Sequence, residues 1–95
     1  MWQVKIEIEA AKVFEGDGLD DEDRVVIHQW AKLVQEHGPE SLRDAPQIWD
    51  DHELEGKWRG HRASRFSYSG RIIYKIEKKI VTVIVVRITA DHDYR

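Results

Sequence analysis

The chain has 95 residues, 41% of them hydrophobic and 35% charged, with a formal net charge of −3 and no cysteine. One modest core and a single domain over residues 1–95 are expected, composition excludes disorder, and disulfides and thiolate metal sites are ruled out. The longest apolar run, Ile80 to Val86, falls far short of a membrane span, and Lys5, Glu7 and Glu9 break any signal-peptide pattern, so a cytoplasmic location with no membrane partner is expected.

Trp2, Val4, Ile6 and Ile8 alternate with Gln3, Lys5, Glu7 and Glu9, which predicts a half-buried strand. Ala10 to Glu15 has room for one or two helical turns before Gly16-Asp17-Gly18 breaks the chain. The next helix has well-marked ends. Asp20 is its N-cap, and Asp21, Glu22 and Asp23 place negative charge in the first turn, where the helix dipole favours it. Gly38 caps the far end and Pro39 forbids continuation. The buried stripe is Val26, Trp30, Leu33 and Val34, widened by Ile27 and Ala31. Pro39 to Ala45 suits another short helix, which Pro46 ends. Ile48 and Trp49 then anchor a connection through Asp50, Asp51, His52 and Glu53 to Leu54 and Gly56.

Three strands are expected to follow. In the first, Trp58, Phe66 and Tyr68 share one parity and Lys57, Arg59, His61 and Arg65 the other. Arg62 falls on the apolar parity, which predicts a bulge near Gly60 or an upward-reaching arginine. Ser69-Gly70 marks the first turn. Ile72, Tyr74 and Ile76 line one face of the second strand, and Arg71, Lys75 and Glu77 the other. Lys78-Lys79 makes the second turn. Ile80 to Ile88 is apolar at both parities, with Arg87 its single charge, and reads as a central strand covered on both faces. The N-terminal strand is expected beside it. The fold class is therefore α+β: a strand, one to three helices, then a three-stranded antiparallel meander with the helices packed on one face of the sheet.

Charge divides along the same line. Residues 1–56 hold 5 Lys/Arg and 15 Asp/Glu, whereas residues 57–95 hold 10 and 3. Either the halves neutralise each other across the fold, or the basic end attracts a polyanion despite the acidic total.

This element order, with Leu54-x-Gly56-x-Trp58-x-Gly60-x-Arg62, Gly70-Arg71-Ile72-Ile73-Tyr74 and the ending His92-Asp93-Tyr94, resembles the RelE/ParE superfamily of bacterial toxins over most of the chain. The resemblance implies a small RelE-like fold and a cytoplasmic toxin neutralised by a co-encoded antitoxin. In the RelE- and YafQ-like branches it implies an mRNA endonuclease acting in the ribosomal A site. In the ParE-like branch it implies a DNA gyrase inhibitor without nuclease residues. A degenerate member serving as a binding module is a third reading. His52 stands where the YafQ-like branch has a catalytic histidine, and Arg62 and Arg65 lie in the strand that carries basic or histidine catalytic residues. Arg71 corresponds to an arginine of the following strand. His92 and Tyr94 match a tail that holds a catalytic histidine and an aromatic residue. Two departures stand out: position 65 is arginine where the YafQ-like pattern has histidine, and the net charge is acidic where most such toxins are basic.

Cleavage of RNA by its own 2′-hydroxyl needs a base, a cation for the phosphorane charge and an acid for the leaving oxygen, with no metal or cofactor. Histidine suits both proton tasks because it titrates near neutrality. His52 is assigned as base and His92 as acid, each flanked in sequence by carboxylates that would favour the imidazolium only if they come close. Arg62 and Arg65 are expected to clamp the scissile phosphate. Tyr94 would stack on a splayed base or pass a proton. Lys57, Arg59, Arg71 and Arg87 would hold flanking phosphates of the mRNA. Blander roles compete. Arg71 and Lys75 could simply solubilise the sheet, Trp30, Trp49 and Trp58 suit the core, and His28, His37 and His61 are incidental surface histidines. Asp50, Asp51, His52, Asp91 and His92 are an alternative metal-ligand set, but their spacing matches no strong metal-binding signature, so no metal is expected.

Overall fold

The computed structural model describes residues 1–88. His92 and Tyr94 lie outside the described residues. The opening alternation forms strand β1 (Gln3–Ile6), shorter than its pattern because helix α1 (Ile8–Glu15) begins at once and buries Ala10. Helix α2 (Asp21–His37) starts on a reciprocal cap. The Asp20 carboxylate accepts from the Asp23 N–H at 2.8 Å, and the Asp23 carboxylate accepts from the Asp20 N–H at 3.2 Å. Ile27, Trp30 and Val34 are its buried stripe, with Val26, Ala31 and Leu33 half-buried beside them. Gly38, at φ 83, ends it. A 3-10 helix (Pro39–Asp44) and the single turn α3 (Pro46–Trp49) follow, and they seat Leu42 and Trp49 in the core.

The remaining strands are β2 (His52–Glu53), β3 (Arg62–Arg65), β4 (Gly70–Glu77) and β5 (Ile80–Ile88). They form one five-stranded sheet in the order β1-β5-β4-β3-β2. β1 lies beside β5, as expected, and runs parallel to it; every other pairing is antiparallel. The helices pack on one face, against Ile72, Tyr74, Val81, Val83 and Val86.

Two local expectations are corrected. The first meander strand does not run from Lys57 to Tyr68. Gly56–Trp58 is a 3-10 turn, Gly56 and Gly60 sit at φ 66 and 87, and only Arg62–Arg65 pairs with β4. The two-residue strand β2 takes up the edge instead. The irregularity expected near Gly60 lies elsewhere: Ile73 faces Val85 and Tyr74 faces Val83, which leaves Ile84 as an extra residue in β5. That bulge explains why β5 is apolar at both parities. Val81 and Val83 reach the core before it and Val86 after it, while Ile73 and Ala63 of the neighbouring strands are buried on the other face. The Ser69-Gly70 turn is as expected: the Gly70 N–H donates to the Ser67 carbonyl at 3.3 Å, and the same glycine opens β4. The Phe66 N–H donates to the Gly70 carbonyl at 3.1 Å, and a Cβ on Gly70 would collide with the Phe66 ring. The Lys78-Lys79 turn is as expected, both residues holding positive φ as a tight two-residue hairpin requires.

Gly70→Ala should therefore destabilise the fold by about 1–3 kcal/mol, because Phe66 is buried and has little room to yield. A lowered urea midpoint with an unchanged slope would show it, and an unchanged midpoint would refute the steric argument.

Candidate functional site

The register gives the sheet two different faces. On the helix-covered face, Asp51 accepts three hydrogen bonds: from Arg62 Nε at 2.7 Å, Ser64 Oγ at 2.6 Å and Tyr74 Oη at 2.5 Å. Ser64 Oγ in turn accepts from the Trp30 indole N–H at 2.9 Å, which links the network to α2. The Asp51 side chain has no exposed surface, and that of Arg62 is 14% exposed. Burial alone would lower the Arg62 pKa, but the hydrogen bond and charge of Asp51 outweigh it and raise it. Burial, then the hydrogen bond and charge of Asp51, push the Tyr74 phenol well above its ordinary value, so it stays a proton donor. Arg62 thus lies across the sheet from the open face, held by a carboxylate. The arginine on the apolar parity is explained by this partner and not by a bulge.

The open face carries two aligned rows. Arg65 pairs with Arg71, and Arg71 with Arg87, so three arginines cross three neighbouring strands in line. The adjoining row is His52, Ala63, Ile73 and Val85. A cleft of about 470 Å³ opens here, lined by His52, Trp58, Arg71 and Arg87 together with Asp50, Leu54, Glu55, Ala63 and Ile73. Arg71 is 7% exposed, and one guanidinium nitrogen donates to the carbonyls of Ser67, Tyr68 and Gly70. The Arg87 Nε is buried with no hydrogen-bond partner among the described residues. His52 is exposed, and its Nδ1 lies 2.7 Å from the Asp50 carbonyl. A carbonyl only accepts, so this bond puts the proton on Nδ1 and leaves Nε2 as the basic atom of the neutral ring. Asp50 supplies that carbonyl from the left-handed turn, φ 44, that caps α3.

Of the residues singled out in the sequence, the cleft gathers His52, Arg71 and Arg87. Arg65 shares their face by register, but its guanidinium donates to the Gln47 and Ile48 carbonyls at 2.7 and 3.5 Å. Lys57 is exposed in the 3-10 turn, and Arg59 lines a separate cleft with Arg43 and His61. Arg62 and Arg65 consequently do not converge on one point. Sequence reasoning missed Asp51, taken only as a neighbour of His52, and placed Trp58 in the core. Trp58 is half-buried, and its ring meets His61 edge-on at 5.3 Å. Its position between two glycines in a non-repeating stretch was the available signal. The larger groove beside β1, lined by Met1 to Lys5, Gln35 and Glu36, offers no histidine or arginine among the described residues.

No protein-family model and no curated protein matches the chain. Solved structures do match it, and the fold is that of the RelE-like toxins. YafQ from E. coli strain BL21(DE3) aligns with a TM-score of 0.75 at 16% identity, over 94% of this chain and 94% of that one. The YoeB-YefM complex from Staphylococcus aureus aligns at 0.72 and 11% identity, over 95% and 99%. The archaeal RelE-RelB complex from Pyrococcus horikoshii OT3 aligns at 0.71 and 15% identity, over 99% and 98%. No helix among the described residues is long and apolar enough to cross a membrane.

Asp51→Ala should cost about 3–5 kcal/mol, since it strands a buried guanidinium and two hydroxyls. Tyr74→Phe should cost about 1 kcal/mol at neutral pH. A phenol whose folded pKa is raised adds stability fully below the unfolded value of 10.0, and loses it as pH climbs toward the folded value. Urea midpoints should accordingly fall above pH 10 in the parent and fall less in Tyr74→Phe. Parallel alkaline limbs would contradict the assignment.

Proposed function

We propose that this chain is the toxin of a type II toxin–antitoxin pair, a metal-independent endoribonuclease that acts in the cytoplasm on mRNA in the ribosomal A site. The observation that carries this reading is the open-face cleft, which holds a histidine with a free basic nitrogen beside two arginines on adjacent strands. The RelE-like fold supports it.

In this mechanism His52 Nε2 takes the 2′-hydroxyl proton and the 2′-oxygen attacks phosphorus. Arg71 and Arg87, which line the cleft, hold the charge that develops on the non-bridging oxygens. The bond to the 5′-oxygen breaks, and that oxygen takes a proton from an acid, for which His92 is the candidate. The products are a 2′,3′-cyclic phosphate and a 5′-hydroxyl. Tyr94 keeps its expected role beside His92, and both lie outside the described residues. Arg87 replaces Arg62 in the phosphate clamp, because Arg62 is committed to Asp51. Arg65, Lys57 and Arg59 are left to flanking phosphates. A cognate antitoxin would cover the open basic face with an acidic or amphipathic segment. The solved complexes of YoeB with YefM and of RelE with RelB support such a partner.

Induced expression followed by mapping of mRNA 5′ ends tests the reading. New ends carrying 5′-hydroxyls are expected within coding sequences. His52→Ala should reduce cleavage by roughly 10²–10⁴-fold and Arg87→Ala by roughly 10²–10³-fold, with melting behaviour near that of the parent. Growth arrest with intact mRNA and blocked gyrase would replace this function with the ParE-like one.

A further inference from the structure

We infer that the indole of Trp58 is a base-stacking platform. Its ligand is an unpaired nucleobase of the same RNA strand whose phosphate lies on Arg71 and Arg87. The inference rests on the ribonuclease reading and extends it to how the strand is held.

The tryptophans of this chain divide by environment. Trp30 and Trp49 are buried in the core, and Trp2 packs against it. Trp58 belongs to no core cluster among the described residues. It ends a three-residue turn between two glycines in the left-handed region, where the backbone makes no ladder and buries no stripe. Partial exposure alone is ordinary for a single apolar residue; what sets Trp58 apart is that its half-buried ring lines the cleft that holds Arg71 and Arg87.

Trp58, Leu54, Ala63 and Ile73 give the cleft apolar lining, and Arg71 and Arg87 give it positive charge. Asp50 and Glu55 also line it, so an anion is favoured only at the arginine row. That row and the His52–Ala63–Ile73 row are two residues apart along each strand, about 7 Å, a spacing one nucleotide can bridge. The perpendicular His61 ring occupies one side of the indole at most. An aromatic ring beside paired guanidiniums is the combination that grips single-stranded nucleic acid, because every base offers a π-face and every linkage a phosphate. A purely apolar peptide would bring no negative charge to the arginine row, and inorganic phosphate would offer nothing to the indole.

The test uses a short 2′-O-methyl RNA, which binds without being cut, and follows intrinsic fluorescence. The oligonucleotide should quench the parent protein. Trp58→Leu should lose that quench and bind roughly 5- to 150-fold more weakly, whereas Trp58→Phe should retain most of the affinity. Ribose 5-phosphate, which has no base, should bind the parent and Trp58→Leu alike. A folded Trp58→Leu that binds the oligonucleotide with parental affinity overturns the inference, as does a parent protein that does not bind it. Cleavage of the matching 2′-hydroxyl RNA is scored separately. Quenching without cleavage would remove the nuclease reading and keep the stacking site. Cleavage with binding indifferent to Trp58 would do the reverse.

Discussion

The rest of the structure depends on one buried carboxylate. Asp51 has no exposed side-chain surface, and an isolated carboxylate so placed would be strongly unfavourable. Here a guanidinium, a serine hydroxyl and a tyrosine hydroxyl all donate to it. These come from β3 and β4, and Trp30 extends the network to α2 through Ser64. Asp51 is itself the residue before β2. A single group thereby fixes the helix layer, two central strands and the edge segment relative to one another. His52 follows directly, so the same contacts set where its ring can go. Hydrophobic burial would hold the layers together without this network, but it would not set the register of a two-residue edge strand.

That arrangement lets the open face tolerate something a sheet usually avoids. Like charges directly opposite one another on neighbouring strands destabilise, by up to about 1 kcal/mol per pair. Arg65, Arg71 and Arg87 form two such pairs in a row. Backbone carbonyls partly answer them: those of Gln47 and Ile48 for Arg65, and those of the Ser67–Gly70 turn for Arg71. Gly70 is needed for the same turn, since only a residue without Cβ fits against Phe66. The Arg87 Nε is left without an answer among the described residues. A row of cations maintained against its own repulsion fits a surface shaped for an anion better than one shaped for stability.

Much of this was legible in the sequence, for identifiable reasons. Both ends of α2 were readable because capping chemistry is local: Asp20 and Asp23 act within one turn, and Gly38-Pro39 needs no distant partner. β1, the Lys78-Lys79 turn and the placement of β1 beside β5 followed from alternation and connectivity. The misreadings share a cause. Parity arguments assume an unbroken strand, and they failed where Gly56 and Gly60 interrupt one strand and Ile84 adds a residue to another. Arg62 is the instructive case. Its apolar parity correctly placed it on the covered face, and the resemblance to a nuclease strand drew it to the open one. What decides between them is Asp51, 11 residues away, and no local pattern announces that pairing.

The acidic total and the basic site are reconciled by distance. The acidic run at residues 20–23 belongs to the start of α2, which lies on the covered side of the sheet. A helix is about 10 Å across, and the Debye length at physiological salt is about 8 Å. Charges on the far side of that layer are therefore largely screened from the cleft, whereas Arg71 and Arg87 act at contact range. The carboxylates that count are near ones, Asp50 and Glu55, which line the same cleft, while Glu53 lies 3.7 Å from Arg62 on the other face. The net charge of −3 weakens long-range steering of a polyanion toward this protein. Under the proposed function it would leave intact a short-range grip of guanidiniums on a phosphate delivered to the cleft, as by a strand presented by a larger assembly rather than captured from solution.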